Sequence, residues 1–300
     1  GDTSEATITI NLSDTEKPVA SATAAMVDDD GLPLGNEDSP VAGDESAADS
    51  DSFSGTLNFT KGGDIPVTVS IAAMALAPGN TDTVGTELVT YEWEEAASTL
   101  SARITGGDRD NTILFAVKIT DANNGDYTVN LLQNVLHADA DGENNATATI
   151  NYVVTDDDGS TDDANLTITF DDDTPVAVDE TAVAAEEAGV NVGGNVLTND
   201  NQGADRAVEV TGISSNYESA VGTVGSDLAG EFGSLTISAN GDWTYEPNDV
   251  VDNDPAAQDV FTYTITDADG DTSEATITIN LSDTEKPVAS ATAAMVDDDG

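Results

Sequence analysis

Tyr263–Leu281 reads YTITDADGDTSEATITINL, two alternating runs on either side of an Asp-rich turn. In the first run Phe261, Tyr263 and Ile265 share one face. In the second, Ala275, Ile277, Ile279 and Leu281 share one face, with Thr276, Thr278 and Asn280 opposite. A period of two with one polar face marks strands of an antiparallel sheet, one side on a core and the other in water. Gly270 gives the turn its tight backbone path. The pattern recurs 111 positions earlier, where Tyr152–Phe170 reads YVVTDDDGSTDDANLTITF. There Ala146, Ala148, Ile150, Tyr152 and Val154 form the inward set.

Working outward, further strands are expected at Gly55–Phe59, Pro66–Ala72, Leu88–Trp93, Leu100–Ile104, Ile113–Ile119, Tyr127–Leu132, Val208–Ile213, Gly233–Ser238 and Trp243–Glu246. Turns rich in Gly, Asn and Asp separate them, such as Asn123–Asp126 and Ala239–Asp242. Glu92–Leu100 and Asp179–Gly189 are the two places where a short helical turn is expected. The fold class is therefore all-β: two tandem antiparallel β-sandwich modules of Ig-like size, joined by short acidic linkers. The first module is expected at 14–172, with extra loops or strands around 31–55 and 73–87, and the second at 173–283. Residues 1–31 and 270–300 are identical, an offset of 269 positions. That predicts a tandem array, in which 1–13 is the closing strand of a preceding copy and 284–300 the start of the next. Arrays of copied units serve length, spacing or multivalency, so catalysis is not expected.

The chain carries 59 acidic residues against 7 basic, a net charge of −52, and 41 of the acids are Asp. Glu suits helix surfaces, whereas Asp suits turns and hard-cation sites. The charge excludes nucleic acid as a partner and argues against direct membrane contact. The expected partners are calcium ions and neighbouring repeat modules, with the chain monomeric in solution. No cysteine is present, which removes disulfide bracing and thiolate chemistry. Bound metal is the substitute.

Calcium takes six to eight oxygen ligands from carboxylates, carbonyls and water. Asp267, Asp269 and Asp271 alternate around Gly270 in a turn that suits it. Asp156 and Asp158 are the counterpart, with Ser160 in the third place. Neither is an EF-hand, because the Gly is fourth and no Glu closes the loop at position twelve. A second class of candidates lies in the runs Asp171, Asp172, Asp173 and Asp28, Asp29, Asp30, the latter repeated at 297–299. Asp283, the last residue of the second module, completes the set. The competing reading is a solvated acidic loop. Against it, two carboxylates at ~4 Å repel by ~1 kcal/mol in water and more near a protein surface.

Other residues read plainly. Trp243 and Tyr245 are core aromatics before they are a sugar platform. Trp93 sits on an edge strand beside Glu92, Glu94 and Glu95, acids whose abundance makes a chance pair inevitable. For His137, the chain's sole histidine, a surface or loop role is expected, and no Ser–His–Asp relay between neighbouring copies is expected.

Gly233–Pro247 (GSLTISANGDWTYEP), preceded by Asn195–Asp200 (NVLTND), resembles the VCBS and cadherin-like modules of giant bacterial RTX adhesins. Asp28–Pro33, followed by Ser54–Phe59 and Pro66–Ser70, is similar to another repeat of those proteins. So is Gly125–Leu132 followed by His137. Together the resemblance covers most of the chain. It implies type I secretion, a place at the extracellular cell surface, and a calcium-stiffened extender that carries adhesive domains outward for attachment and biofilm formation. The nonapeptide repeats that name the RTX group are absent. Alternatives to the extender are a sandwich module binding carbohydrate or another cell, and an S-layer or matrix component. A glycosidase is the weakest reading.

Overall fold

The computed structural model describes residues 4–10, 16–33, 35, 50–71, 81–137, 145–185, 189–248 and 257–282. The chain divides into two compact units. One comprises Gly1–Thr174 with the segments Gln202–Ala207 and Asp267–Asp271; the other comprises Pro175–Asn201, Val208–Thr266 and Thr272–Gly300.

The first unit contains a six-stranded antiparallel sheet. Its spatial order is Ser52–Thr56, Asp126–Leu131, Ile113–Asp121, Thr99–Ile104, Glu87–Glu94, Thr81–Val84. A four-stranded sheet runs Thr23–Asp28, Thr161–Asp171, Ala146–Thr155, Thr68–Ile71. A short pair, Val19–Ala20 with Phe59–Thr60, adds a third ladder. Inward residues of both larger sheets merge into one core, including Leu100, Phe115, Val117, Val129, Ile150, Ile168 and Phe170. This is a β-sandwich, as the alternation predicts. At its centre the rings of Phe115 and Phe170 lie 5.0 Å apart. Phe170→Ala in calcium buffer is expected to lower unfolding free energy by about 3–5 kcal/mol. Its outward neighbour Thr169→Ala should change it by less than about 0.5 kcal/mol. Urea titration of both variants checks the difference.

The second unit repeats the plan. One sheet runs Glu180–Ala185, Thr272–Ser282, Gln258–Thr266, Glu209–Ser215, Ala220–Val221, and the other Val192–Asn195, Asp242–Pro247, Gly233–Ile237, Leu228–Ala229. Their inner faces share a core that includes Leu235, Trp243, Tyr245, Phe261, Tyr263 and Ile277. Trp243 is thus a core residue.

Five expectations need correction. Glu92–Leu100 is no helix: Glu87–Glu94 and Thr99–Ile104 pair as a hairpin, with Trp93 opposite Leu100, leaving only 95–98 for the turn. Of Asp179–Gly189, Glu180–Ala185 is a strand and not a helical turn: it pairs with Ile277–Ser282 and buries Ala184, while 186–188 lie outside the described residues. Among the described residues the helical elements are three-residue 3₁₀ turns. Gly55–Phe59 is broken into two strands, ending at Thr56 and resuming at Phe59, because the second piece joins a different ladder. Trp93 is not on an edge strand; Thr81–Val84 lies outside it, though too short to cover it. The sheets are also not wholly antiparallel. Thr23–Asp28 runs parallel to Thr161–Asp171, and Glu180–Ala185 parallel to Thr272–Ser282. Residues 4–10 form no strand and are exposed; residues 284–300 lie outside the described residues.

Candidate metal centre

The parallel pairing builds the site. Register places Asp28 opposite Asp171, so both Asp runs leave their sheet at the same end. Asp28 caps the 3₁₀ turn Asp29–Gly31 by accepting from Asp30 N at 3.0 Å. That turn points Asp29 into the fold, where its Oδ2 accepts from Val135 N at 2.6 Å. Asp172 and Asp173 follow the end of Thr161–Asp171 and are fully buried. Asp173 accepts from Ala204 N at 2.5 Å, and Asp205 from Asn134 Nδ2 at 2.5 Å.

The turn Asp267–Asp271 arrives on the same cluster. Asp267 Oδ1 accepts from Gly270 N (3.0 Å) and Asp271 N (2.8 Å), and Asp267 N donates to Asp271 O (3.1 Å). Gly270 has φ +111°, a conformation that favours glycine. Asp269 Oδ2 accepts from His137 N at 3.1 Å, while His137 Nδ1 lies 2.8 Å from Asp172 Oδ1.

Three overlapping ligand groups result: Asp29, His137 and Asp172; Asp172, Asp205 and Asp269; Asp267, Asp269 and Asp271. Within each group, potential ligand atoms lie within 4.8 Å of one another. Asp172 and Asp269 each belong to two groups. Five carboxylate oxygens in this constellation are buried without a hydrogen-bond partner: Asp29 Oδ1, Asp172 Oδ2, Asp205 Oδ2, Asp267 Oδ2 and Asp269 Oδ1. Unmet acceptors of this kind are costly, and several in one place call for a cation. Asp259 in the second unit is the contrast. It is equally buried, but Glu231 N, Phe232 N and Tyr245 OH donate to its two oxygens. Asp259 is a structural acid, whereas the cluster is an oxygen-rich cage whose donors fit calcium.

The electrostatics agree. Burial pushes the Asp29 carboxyl well above the usual range, with Asp205 and Asp172 adding to the effect against the pull of Val135 N. Burial is also the leading cause at Asp172, raised to about 6 despite His137, and at Asp205, raised to about 7 with help from Asp269 and Asp172. Asp267 rises to about 8 through burial and then Asp269; Asp173 rises to about 9 through burial and then Asp30. For His137 burial works against the proton, yet the hydrogen bond and charge of Asp172 outweigh it and the pKa rises. A cation would supply the charge these acids lack.

Of the sequence candidates, the structure brings together Asp29, Asp172, Asp267, Asp269 and Asp271. Asp28, Asp30 and Asp173 are buried beside them, and Asp171 is half-buried at its strand end. Asp156 is buried within its own turn, where Ser160 N donates to Asp156 Oδ1 (2.8 Å) and to Asp158 Oδ1 (3.0 Å). Asp158 is exposed, and neither joins the three groups. Asp283 lies outside the described residues. Two members of the cluster were not among the metal candidates read from the sequence. Asp205 stands alone in Gln202–Ala207, outside any Asp run, and His137, for which a surface or loop role was expected, is in a loop but only 2% exposed.

A cavity of ≈ 520 Å³ lies in the same unit, lined among others by Arg109, Gln133, Asn134, Asp205 and Arg206. Arg206 and Ala207 both have positive φ (59° and 54°), a strained backbone for non-glycine residues. Among the described residues no helix is long and apolar enough to cross a membrane.

The chain is 30% identical over 145 residues to the calcium-binding lectin RapA2 of Rhizobium johnstonii, covering 45% of this chain and 59% of that protein. Among solved structures, PcdhgB3 EC1-4 matches 91% of this chain and 51% of its own at TM-score 0.30 and 11% identity. Drosophila N-cadherin EC1-4 matches 90% and 51% at TM-score 0.27 and 9% identity. The sequence matches point to a structural or binding protein and not to an enzyme. Residues 172–283, which contain Asp172, Asp205 and the turn Asp267–Asp271, match the bacterial cadherin-like domain.

Proposed function

We propose that the chain is a calcium-stiffened extender segment of an extracellular bacterial surface adhesin, projecting adhesive domains for attachment and biofilm formation after type I secretion. The observation that carries this reading is the set of five buried, unpartnered carboxylate oxygens on Asp29, Asp172, Asp205, Asp267 and Asp269. Calcium is the proposed ion, bound by carboxylates at ~10⁻⁴–10⁻³ M as in extracellular modules. Inside a cell calcium is scarce and a net charge of −52 keeps the chain self-repelling. Outside, the ion closes the cluster. Gln202–Ala207 and Asp267–Asp271 are covalently continuous with strands of the second unit, so closing the cluster restrains the chain at those crossings. The chain is proposed to act as a monomer, with neighbouring repeats as its partners.

Small-angle scattering and calcium calorimetry on the same sample test this. The expected result is saturable calcium binding with a longer, narrower distance distribution in calcium than in chelator. Identical scattering in both buffers would remove the extender role; absent binding would remove calcium as well.

A second reading, a carbohydrate-binding module, is favoured by the cavity beside Asp205 and by the similarity to a calcium-binding lectin. Binding of the isolated chain to a glycan array, lost in Arg109→Ala, would select it.

A further inference from the structure

The three ligand groups differ in chemistry. Two are oxygen-only, but Asp29, His137 and Asp172 place an imidazole in the cage. Calcium takes oxygen ligands; imidazole with carboxylate suits zinc and other borderline divalent ions. We propose that Asp29, His137 and Asp172 form a separate site for a divalent cation of the zinc class, sharing the Asp172 carboxylate with the oxygen-only calcium positions.

Geometry supports it on three counts. First, the potential ligand atoms lie within 4.8 Å of one another. Tetrahedral zinc ligands at about 2.0–2.1 Å sit roughly 3.3 Å apart, so the arrangement is completed by a slight opening of the 2.8 Å His137 Nδ1–Asp172 Oδ1 contact and by shifts of no more than about 1.5 Å elsewhere. Second, Asp29 Oδ1 and Asp172 Oδ2 are unpartnered, on side chains that are fully buried. Third, Asp29 is already oriented, since its other oxygen accepts from Val135 N at 2.6 Å. Orientation of a ligand by a backbone hydrogen bond is the outer-shell support metal sites use. Water or a further carboxylate would supply the fourth ligand.

The test uses the whole chain, saturated with calcium before zinc chloride is added. His137 is the sole histidine, so the imidazole ¹⁵N signals in an NMR titration report on one residue. One equivalent of zinc is expected to shift them to saturation while the calcium-dependent rise in melting temperature persists. His137→Gln should weaken zinc binding at least 10–100-fold, the range that loss of a supporting residue alone produces, and should keep its response to calcium. Asp205→Asn should do the reverse, weakening calcium while zinc still moves the imidazole. Imidazole signals unmoved by zinc would overturn the proposal. So would His137→Gln binding zinc within about threefold of the parent, or losing its calcium response together with zinc. If that variant does not fold, the titration of the parent chain decides alone. Failure of calcium to stabilise the parent removes the extender reading instead, and the same titration in calcium-free buffer then decides the zinc site.

Discussion

Chelating calcium is expected to lower the melting temperature of the unit that holds Asp29, Asp172, Asp205 and Asp267–Asp271 by about 10–20 °C. An ion present at 100 times its dissociation constant stabilises the folded state by about 2.7 kcal/mol. Two oxygen-only groups therefore contribute about 5 kcal/mol, and each kcal/mol shifts the midpoint of a domain this size by roughly 2–4 °C. The loss arises because ion removal leaves buried carboxylates facing one another, with His137 the one basic side chain among the cluster's ligand groups. Differential scanning calorimetry with excess EGTA, then calcium add-back and a magnesium control, measures it. Magnesium should restore less, because it demands octahedral geometry and gives up its water reluctantly. A midpoint that ignores EGTA would leave the cluster without an ion.

Metal-free protein is expected to lose stability as pH rises, and calcium to abolish or reverse that slope. The sign follows from proton counts. Asp172, Asp205, Asp267 and Asp173 have folded values raised to about 6, 7, 8 and 9, chiefly by burial. Unfolded, an Asp titrates near 3.9. Between those limits the folded state holds more protons, so raising the pH favours unfolding. The stabilisation of protonated acids is full below about pH 4, falls as the pH rises from there, and each acid's share is gone once its folded value of about 6, 7, 8 or 9 is passed. Calcium competes with those protons, so its benefit grows over the same window. Melting curves from pH 5 to 9, with and without calcium, display the crossing. Shedding the net charge of −52 also favours the acid side, so the control is Asp205→Asn with Asp267→Asn. That double variant should flatten the metal-free slope while its surface charge stays almost unchanged. An unaltered slope would assign the pH effect to the surface alone.

The strand pattern was legible because burial on one face of a pleated sheet forces a period of two. Ala146–Thr155 and Thr272–Ser282 show it over ten and eleven residues. Local acid turns were legible for a similar reason. Asp267–Asp271 closes on itself through its own backbone, so its spacing already contains its geometry. The helical expectations failed where a charged, Ala-rich stretch is held extended by a neighbouring strand, as Glu180–Ala185 is by Ile277–Ser282. Tertiary pairing outweighs a weak local propensity.

From the sequence alone came the β-sandwich class, the acid-rich turns and five of the seven residues in the ligand groups. Only the tertiary structure decided which acids come together in one cluster. The parallel pairing of Thr23–Asp28 with Thr161–Asp171 sets Asp29 near Asp172 across more than 140 residues of chain. Asp205 and His137 enter from separate loops. Spacing along a chain reports contacts within a turn, whereas an ion gathers ligands by distance in space, and that distance is set when distant strands choose their register.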